Sequence, residues 1–195
     1  MPEIVERGEF VDLLPLTVGH AALTLNWRLS SRAALLQSGA TDVAAQAQWI
    51  ASRPSAEYNF VIALKDGRPV GMVSLVGISK AHGHAEPARF LIGEEDAVRG
   101  VPAAVEAMKL VYELAFDTLG LRRVFGNMAS ENKLMAKWQR YLGMTEEGRL
   151  RSHYVIDGRV QDALVFGMLE EEYRKVAVPR MLALIALGRS GEARP

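Results

Sequence analysis

The pattern that most limits how this chain can fold lies between Ala85 and Met144, where apolar residues change from strand-like to helical spacing and back. A short run, Phe90-Leu91-Ile92-Gly93, reads as the end of a strand. Acidic and polar residues follow, and then Arg99-Gly100-Val101-Pro102-Ala103-Ala104. From there Ala104, Ala107, Met108, Val111, Leu114, Ala115 and Leu119 recur at helical spacing, so one face of Pro102 to Leu119 is apolar. Pro102 suits the first helical turn, where its missing N–H costs nothing and its fixed φ is already helical. A second strand and a second helix complete the stretch. A helix with one apolar face must bury it, so this strand, turn, helix, strand, helix order sets the plan for the other elements.

The helix start also carries chemistry. Gly100, Ala103 and Ala104 let backbone N–H groups come close to a ligand, and the helix dipole favours negative charge there. The physical reading is an anion site, most naturally for phosphate. Spacing alone does not separate that site from a plain helix start.

The residues before this core supply strands and two helices. Glu9 to Leu16 alternates loosely and breaks at Pro15, as a first strand would. Thr17 to Arg28 reads as a helix carrying Leu23 and Trp27, and Thr41 to Ser52 as a second one with Thr41 as its cap. Ser30 to Ala40 between them reads as a loop or broken helix. Tyr58 to Leu64 and Pro69 to Ser79 are strands joined by Lys65-Asp66-Gly67-Arg68, since Asp-Gly supplies the positive φ of a tight turn. Ala81-His82-Gly83-His84 then turns the chain into the strand that ends at Ile92. The expected fold class is α/β in the α+β sense: a mixed, mostly antiparallel twisted sheet with helices on both faces.

Composition narrows the function classes. The chain has 195 residues, 49% of them hydrophobic, which is enough for one sizeable core. Lys plus Arg equals Asp plus Glu at 23 each, with no basic run, so neither nucleic acid nor an anionic membrane is expected as the main ligand. The absence of cysteine removes disulfides, thiolate metal sites and cysteine nucleophiles together. His82 and His84 lack a third and fourth ligand nearby, so they read as a solvated turn and no metal is expected. MPEIVERGEF has no signal-peptide pattern and no run reaches the ~18 apolar residues of a membrane span, so a cytoplasmic location is expected. Serine-elbow, phosphate-loop and dinucleotide fingerprints do not occur.

Taken together, the motifs resemble the acyl-CoA binding core of the GNAT N-acetyltransferases, in particular their RimJ/RimL-like branch of ribosomal-protein N-terminal acetyltransferases. In that family the turn reads Arg/Gln-x-x-Gly-x-Gly/Ala and its backbone amides hold the CoA pyrophosphate. Arg99, Pro102 and Ala104 fall on the specified positions; the first and last match, while Pro102 replaces Gly and removes one N–H donor. Asn132, followed by Leu142-Gly143-Met144, resembles the family's Asn-x-x-Ser/Ala … Leu-Gly-Phe helix. Glu147 to His153, Asp157-Gly158-Arg159, Asp162, Leu169 and Glu172-Tyr173 resemble the branch's closing hairpin. The resemblance runs from roughly Phe10 to Tyr173.

The resemblance implies direct transfer of an acetyl group from acetyl-CoA, a cosubstrate, to a primary amine. The acceptor would be a protein N-terminus, a polyamine, an antibiotic amine or an amino sugar on a nucleotide. Expected donor contacts are Leu91, Ile92 and Gly93 in the strand, Arg99, Gly100, Val101, Pro102, Ala103 and Ala104 in the turn, and Asn132. An amine with a pKa near that of Lys is protonated at neutral pH, so a base is needed. Glu86 is the candidate: with period two it shares a face with Ala88, Phe90 and Ile92, where an apolar setting would raise its pKa. The plain alternative is a surface Glu at a strand start. Pro87 cannot donate to a ladder, so the strand is expected to be bulged or edge-like there, a break that in the family admits the pantetheine arm. A backbone N–H at Ile92 or Gly93 is the expected polariser of the thioester carbonyl.

Several positions depart from the family. Many members place a Tyr seven residues after the helix Asn to protonate the thiolate; that residue is Gln139 here, and Tyr141 lies roughly 200° further round the helix. The family's Ser is Met135. These departures and Pro102 keep a second class open, a non-catalytic acyl-CoA binding or scaffolding protein of the same fold. Asn26-Trp27-Arg28 resembles the branch's Trp-Arg pair, which is either a core Trp with a surface Arg or a wall of the acceptor pocket. Arg28, Arg89 and Arg151 are either anchors for an anionic acceptor or solvated.

Beyond Tyr173 the family pattern ends. Pro179 would open and Gly188 close a short helix that is apolar nearly all round, so a domain over residues 1–173 is expected to carry a helical extension over 174–195. Such a helix needs a cover, either its own domain or a second copy in a homodimer.

Overall fold

Eight strands make one sheet: β1 Glu6–Arg7, β2 Val11–Pro15, β3 Tyr58–Leu64, β4 Pro69–Ser79, β5 His84–Ile92, β6 Arg123–Ala129, β7 Thr145–Ile156 and β8 Arg159–Leu169. Their spatial order is β1-β2-β3-β4-β5-β6-β8-β7. The computed structural model describes residues 5–36 and 39–192, with 190–192 by backbone only. The tip of the Ser30–Ala40 loop and the last three residues of the expected extension lie outside them. All neighbouring strands are antiparallel except β5 and β6, so the sheet is mixed and mostly antiparallel.

Local chemistry sets the turns and caps. Gly67 takes φ 86° in the β3–β4 turn, and Arg68 N–H donates to Asp66 Oδ1 at 2.9 Å. Helices α1 Ala21–Leu29 and α2 Val43–Ala51 follow β2. The cap of α2 is Asp42, not Thr41: its Oδ1 accepts from Ala45 N–H at 2.8 Å. Helix α3 Ala103–Glu113 follows β5 and widens into a π turn over Leu114–Thr118, and α4 Lys133–Tyr141 follows β6. After β8, the single turn α5 Glu170–Glu172 and a second π turn, Tyr173–Ala177, lead into α6 Val178–Glu192.

The sheet's two faces are covered differently. Trp27 of α1 packs with Met72 and Leu91 on one face, with Trp49 of α2 beside them. On the other face lies the main core, to which α3 contributes Met108, Val111 and Tyr112 and α4 contributes Ala136. Met181 and Ile185 of α6 belong to that same core, so α6 docks on its own domain, each side chain contributing on the order of 2 kcal/mol by burial. The approach is close: a Cβ on Gly188 would stand 2.5 Å from Pro102 Cδ.

One buried charge ties α3 to the sheet. Glu106 is 4% exposed, and its carboxylate accepts from the N–H groups of Glu9 at 2.7 Å, Phe10 at 2.7 Å and Val11 at 2.8 Å. Charge-assisted bonds of this kind replace lost hydration and fix the helix against the β1–β2 turn.

Candidate active site

The site begins where two strands part. β5 and β6 pair only at His84↔Arg123 and Ala85↔Val124. Pro87 follows and has no N–H to donate. Between Ala88↔Ser74 and Leu91↔Met72, two residues of β5, Arg89 and Phe90, oppose Val73 alone, and Arg89 takes φ 56°. That bulge bends β5 away from β6 and opens a gap.

The bulge also changes which residues share a face. Partners in register place Glu86 with Ala88 and Leu91, whereas Phe90 and Ile92 turn to the main core on the other face. The period-two expectation for Glu86 therefore holds only as far as Ala88. Glu86 stands beside the gap, its Cγ and Oε1 each 3.6 Å from where a Cβ on Gly126 of β6 would lie. Burial raises its pKa, with smaller lowering contributions from the Arg89 charge and the Asn127 backbone. A carboxyl whose proton leaves above the usual range is suited to accept one from an ammonium group.

The strand contacts divide. Gly93 N–H donates to Val70 O at 2.8 Å, so it is not available to polarise a carbonyl. Antiparallel ladders alternate, which turns the N–H of Ile92, opposite Gly71, away from β4 and towards the gap, and leaves Leu91 tied to β4. Gly93 serves packing instead: a Cβ there would meet Trp27 Cγ at 2.2 Å. Trp27 itself is a core residue, 1% exposed, with its indole N–H on Glu94 Oε1 at 2.7 Å.

The turn before α3 divides as well. Arg99 is exposed and paired with Asp96 at 2.7 Å. Val101 N–H is taken by Val98 O at 2.9 Å, and Pro102, one residue before the helix, lies under Gly188 of α6. These two do not offer donors to an anion. No side chain caps α3, and the amides of Gly100, Ala103, Ala104 and Val105 have no acceptor among the described residues. Amides left this way at a helix start fit the phosphates of a coenzyme.

A cleft of about 470 Å³ runs from the gap to the wall made by α1 and α2. Its lining includes Glu86, Asn132, Met135, Trp138 and Gln139 towards α4, and Arg28, Trp49 and Arg53 at the far wall. Asn132 caps α4, accepting from Met135 N–H at 3.2 Å. The indole N–H of Trp138 is buried and has no partner among the described residues. Sequence reasoning missed Tyr154 of β7, which lines the cleft and donates to Asn127 Oδ1. It also missed Arg53, held by Trp49 O at 3.0 Å. Nothing in their local spacing distinguishes them, because both reach the site from distant elements.

Comparison with known proteins agrees with this geometry. The family described as acetyltransferase (GNAT) domain matches residues 11–145. Spermidine N(1)-acetyltransferase of Escherichia coli (strain K12) is 30% identical over 117 residues, 60% of this chain, and the match spans only 61% of that relative's length. A probable acetyltransferase of the GNAT family from Chromobacterium violaceum superposes with a TM-score of 0.78 at 30% identity, covering 89% of this chain and 90% of that one. A GCN5-related N-acetyltransferase from Brucella melitensis gives 0.80 at 25% identity over 94% and 86%. The chain belongs to the GNAT acetyltransferase family.

Proposed function

We propose that this protein moves an acetyl group from acetyl-CoA to a primary amine by direct transfer. The observation that carries the reading is Glu86, half-buried beside the gap between β5 and β6 and opening on the same cleft as Asn132. Bound acetyl-CoA supplies the thioester carbonyl at which the N–C bond forms as the C–S bond breaks. Gly100, Ala103, Ala104 and Val105 are the amides to hold its phosphates, and the gap beside Ile92 is the place for its pantetheine arm. Glu86 takes the proton that the acceptor ammonium must lose. The Ile92 N–H polarises the carbonyl oxygen. Tyr154, whose phenol is in the cleft where Gln139 has none, turns its O–H from Asn127 Oδ1 to give a proton to the departing sulfur, and the second proton that the nitrogen sheds on becoming an amide restores it.

The finer kinship with the RimJ/RimL-like branch is part of the proposal and rests on the Asn132 cap, Leu142-Gly143-Met144 and the β7–β8 hairpin. The names of curated relatives put spermidine forward as the first acceptor to try. A cytoplasmic place of action belongs to the same reading.

The test is calorimetric titration with acetyl-CoA on the wild type and on Arg99→Glu, followed by CoA release with a panel of amines. The expected result is binding that weakens in the variant and amine-dependent release. Binding with no release for any amine identifies a scaffolding protein instead.

A further inference from the structure

The far wall of the cleft has a sign. The Trp49 ring lies under two guanidiniums, Arg53 at 4.5 Å and Arg89 at 5.3 Å from its centroid. Arg28 lines the same wall and is close enough to Arg89 for that charge, after burial itself, to lower its pKa. Among the described residues Glu57 answers two of them: it accepts from Arg89 Nη1 at 2.8 Å and feels Arg53 as well. Arg89 also donates to Asn59 Oδ1 at 2.8 Å, which fixes its plane. Among the described residues Glu86 is the acid that lines the cleft itself, and it stands at the gap between β5 and β6.

An acceptor with several ammonium groups needs carboxylates at the end opposite the reacting nitrogen, and like charges there repel it. Guanidiniums in a partly dehydrated wall do the reverse: they offer forked donors to a carboxylate or phosphate. The coenzyme's phosphates do not account for this wall, since their amides are at the start of α3, across the gap. Resting on the acetyltransferase reading above, we infer that the acceptor is a primary amine that also carries an anionic group, a carboxylate or a phosphate, held by Arg28, Arg53 and Arg89 with its apolar stem against Trp49.

The experiment uses matched amines at saturating acetyl-CoA, scored by CoA release: n-butylamine against 4-aminobutyrate, ethanolamine against O-phosphoethanolamine, and spermidine alongside. The expected result is kcat/KM about tenfold or more higher for the anionic member of at least one pair, the charge-assisted contact being present only there. The pair with the larger ratio tells carboxylate from phosphate. Arg53→Gln and Arg28→Gln should bring that ratio towards one, with Arg53→Lys retaining part of it; the wild-type ratios need no variant to be read. Preference for the members without the anionic group or for spermidine, with release intact, overturns the anionic acceptor and leaves the acetyltransferase standing. Acetyl-CoA binding without release for any amine overturns both.

Discussion

The start of α3 and the far wall of the cleft are built from different materials. Towards α3 the contacts are main chain: the amides of Gly100, Ala103, Ala104 and Val105, and the outward N–H of Ile92. Towards α1 and α2 they are side chains, Arg28, Trp49, Arg53 and Arg89. A site made of backbone is as rigid as the elements that carry it and indifferent to most substitutions. One made of long side chains can change its ligand without changing the fold. On the proposed reading, the donor end is where chains of this family should agree, and the acceptor end is where they should differ.

The sharpest way to break the donor end is to remove its brace. Glu106→Ala leaves the N–H groups of Glu9, Phe10 and Val11, the last two buried, without that acceptor. It should cost on the order of 4 kcal/mol in urea unfolding, with Glu106→Gln recovering part of the loss. An unchanged midpoint would mean that the brace carries no weight.

Glu86→Gln comes next and sits between the ends. CoA release with a primary amine should fall by about 100-fold. In the wild type, kcat/KM should rise with pH through a value above the ordinary 4.5, because Glu86 acts as a base only once deprotonated, and that limb should vanish in the variant. Stability has the opposite sign. A raised folded pKa means the protein is favoured with Glu86 protonated, and that advantage fades as pH climbs through the folded value. Glu86→Gln should therefore be at least as stable as wild type at neutral pH, as thermal unfolding would show.

A smaller effect is expected at the junction of the two ends. Gly93→Ala drives a methyl into Trp27 and should cost about 2 kcal/mol while displacing α1, raising KM for the amine more than for acetyl-CoA. Smallest is the Glu57–Arg89 pair. Glu57 is itself disfavoured by burial, but its bonds with Arg89 win and hold its pKa below 4.5. Its contribution should be present above that value and drain away as pH falls through the folded one, a shallow acid limb in Tm that Glu57→Gln removes.

These differences in material also explain what could be read in advance. The strand, turn, helix, strand, helix core announces itself because burial imposes periods of two and 3.6 on its own residues. Pro87 marks the break in pairing for the same local reason. The bulge at Arg89 carries no such mark, since a positive φ at Arg has no sequence signature, and it undid the face assignment of Phe90 and Ile92. Glu106 was visible in principle: it lies on the helix face of Ala103 and Leu110, both buried, and a lone acid in such a stripe must have a partner. Trp49 and Arg53 meet Arg89 only through tertiary packing, which leaves no period to detect.

The parting of β5 and β6 has a mechanical side. By hydrogen bonding there is one sheet, yet only two residue pairs weld its halves, one carrying β1 to β5 and the other β6 to β8. The plates are otherwise coupled through the helices laid across them. A molecule that fills the gap and grips both plates acts as a rivet: amides flanking the weld should exchange more slowly with deuterium once it is in place, at positions the molecule never touches.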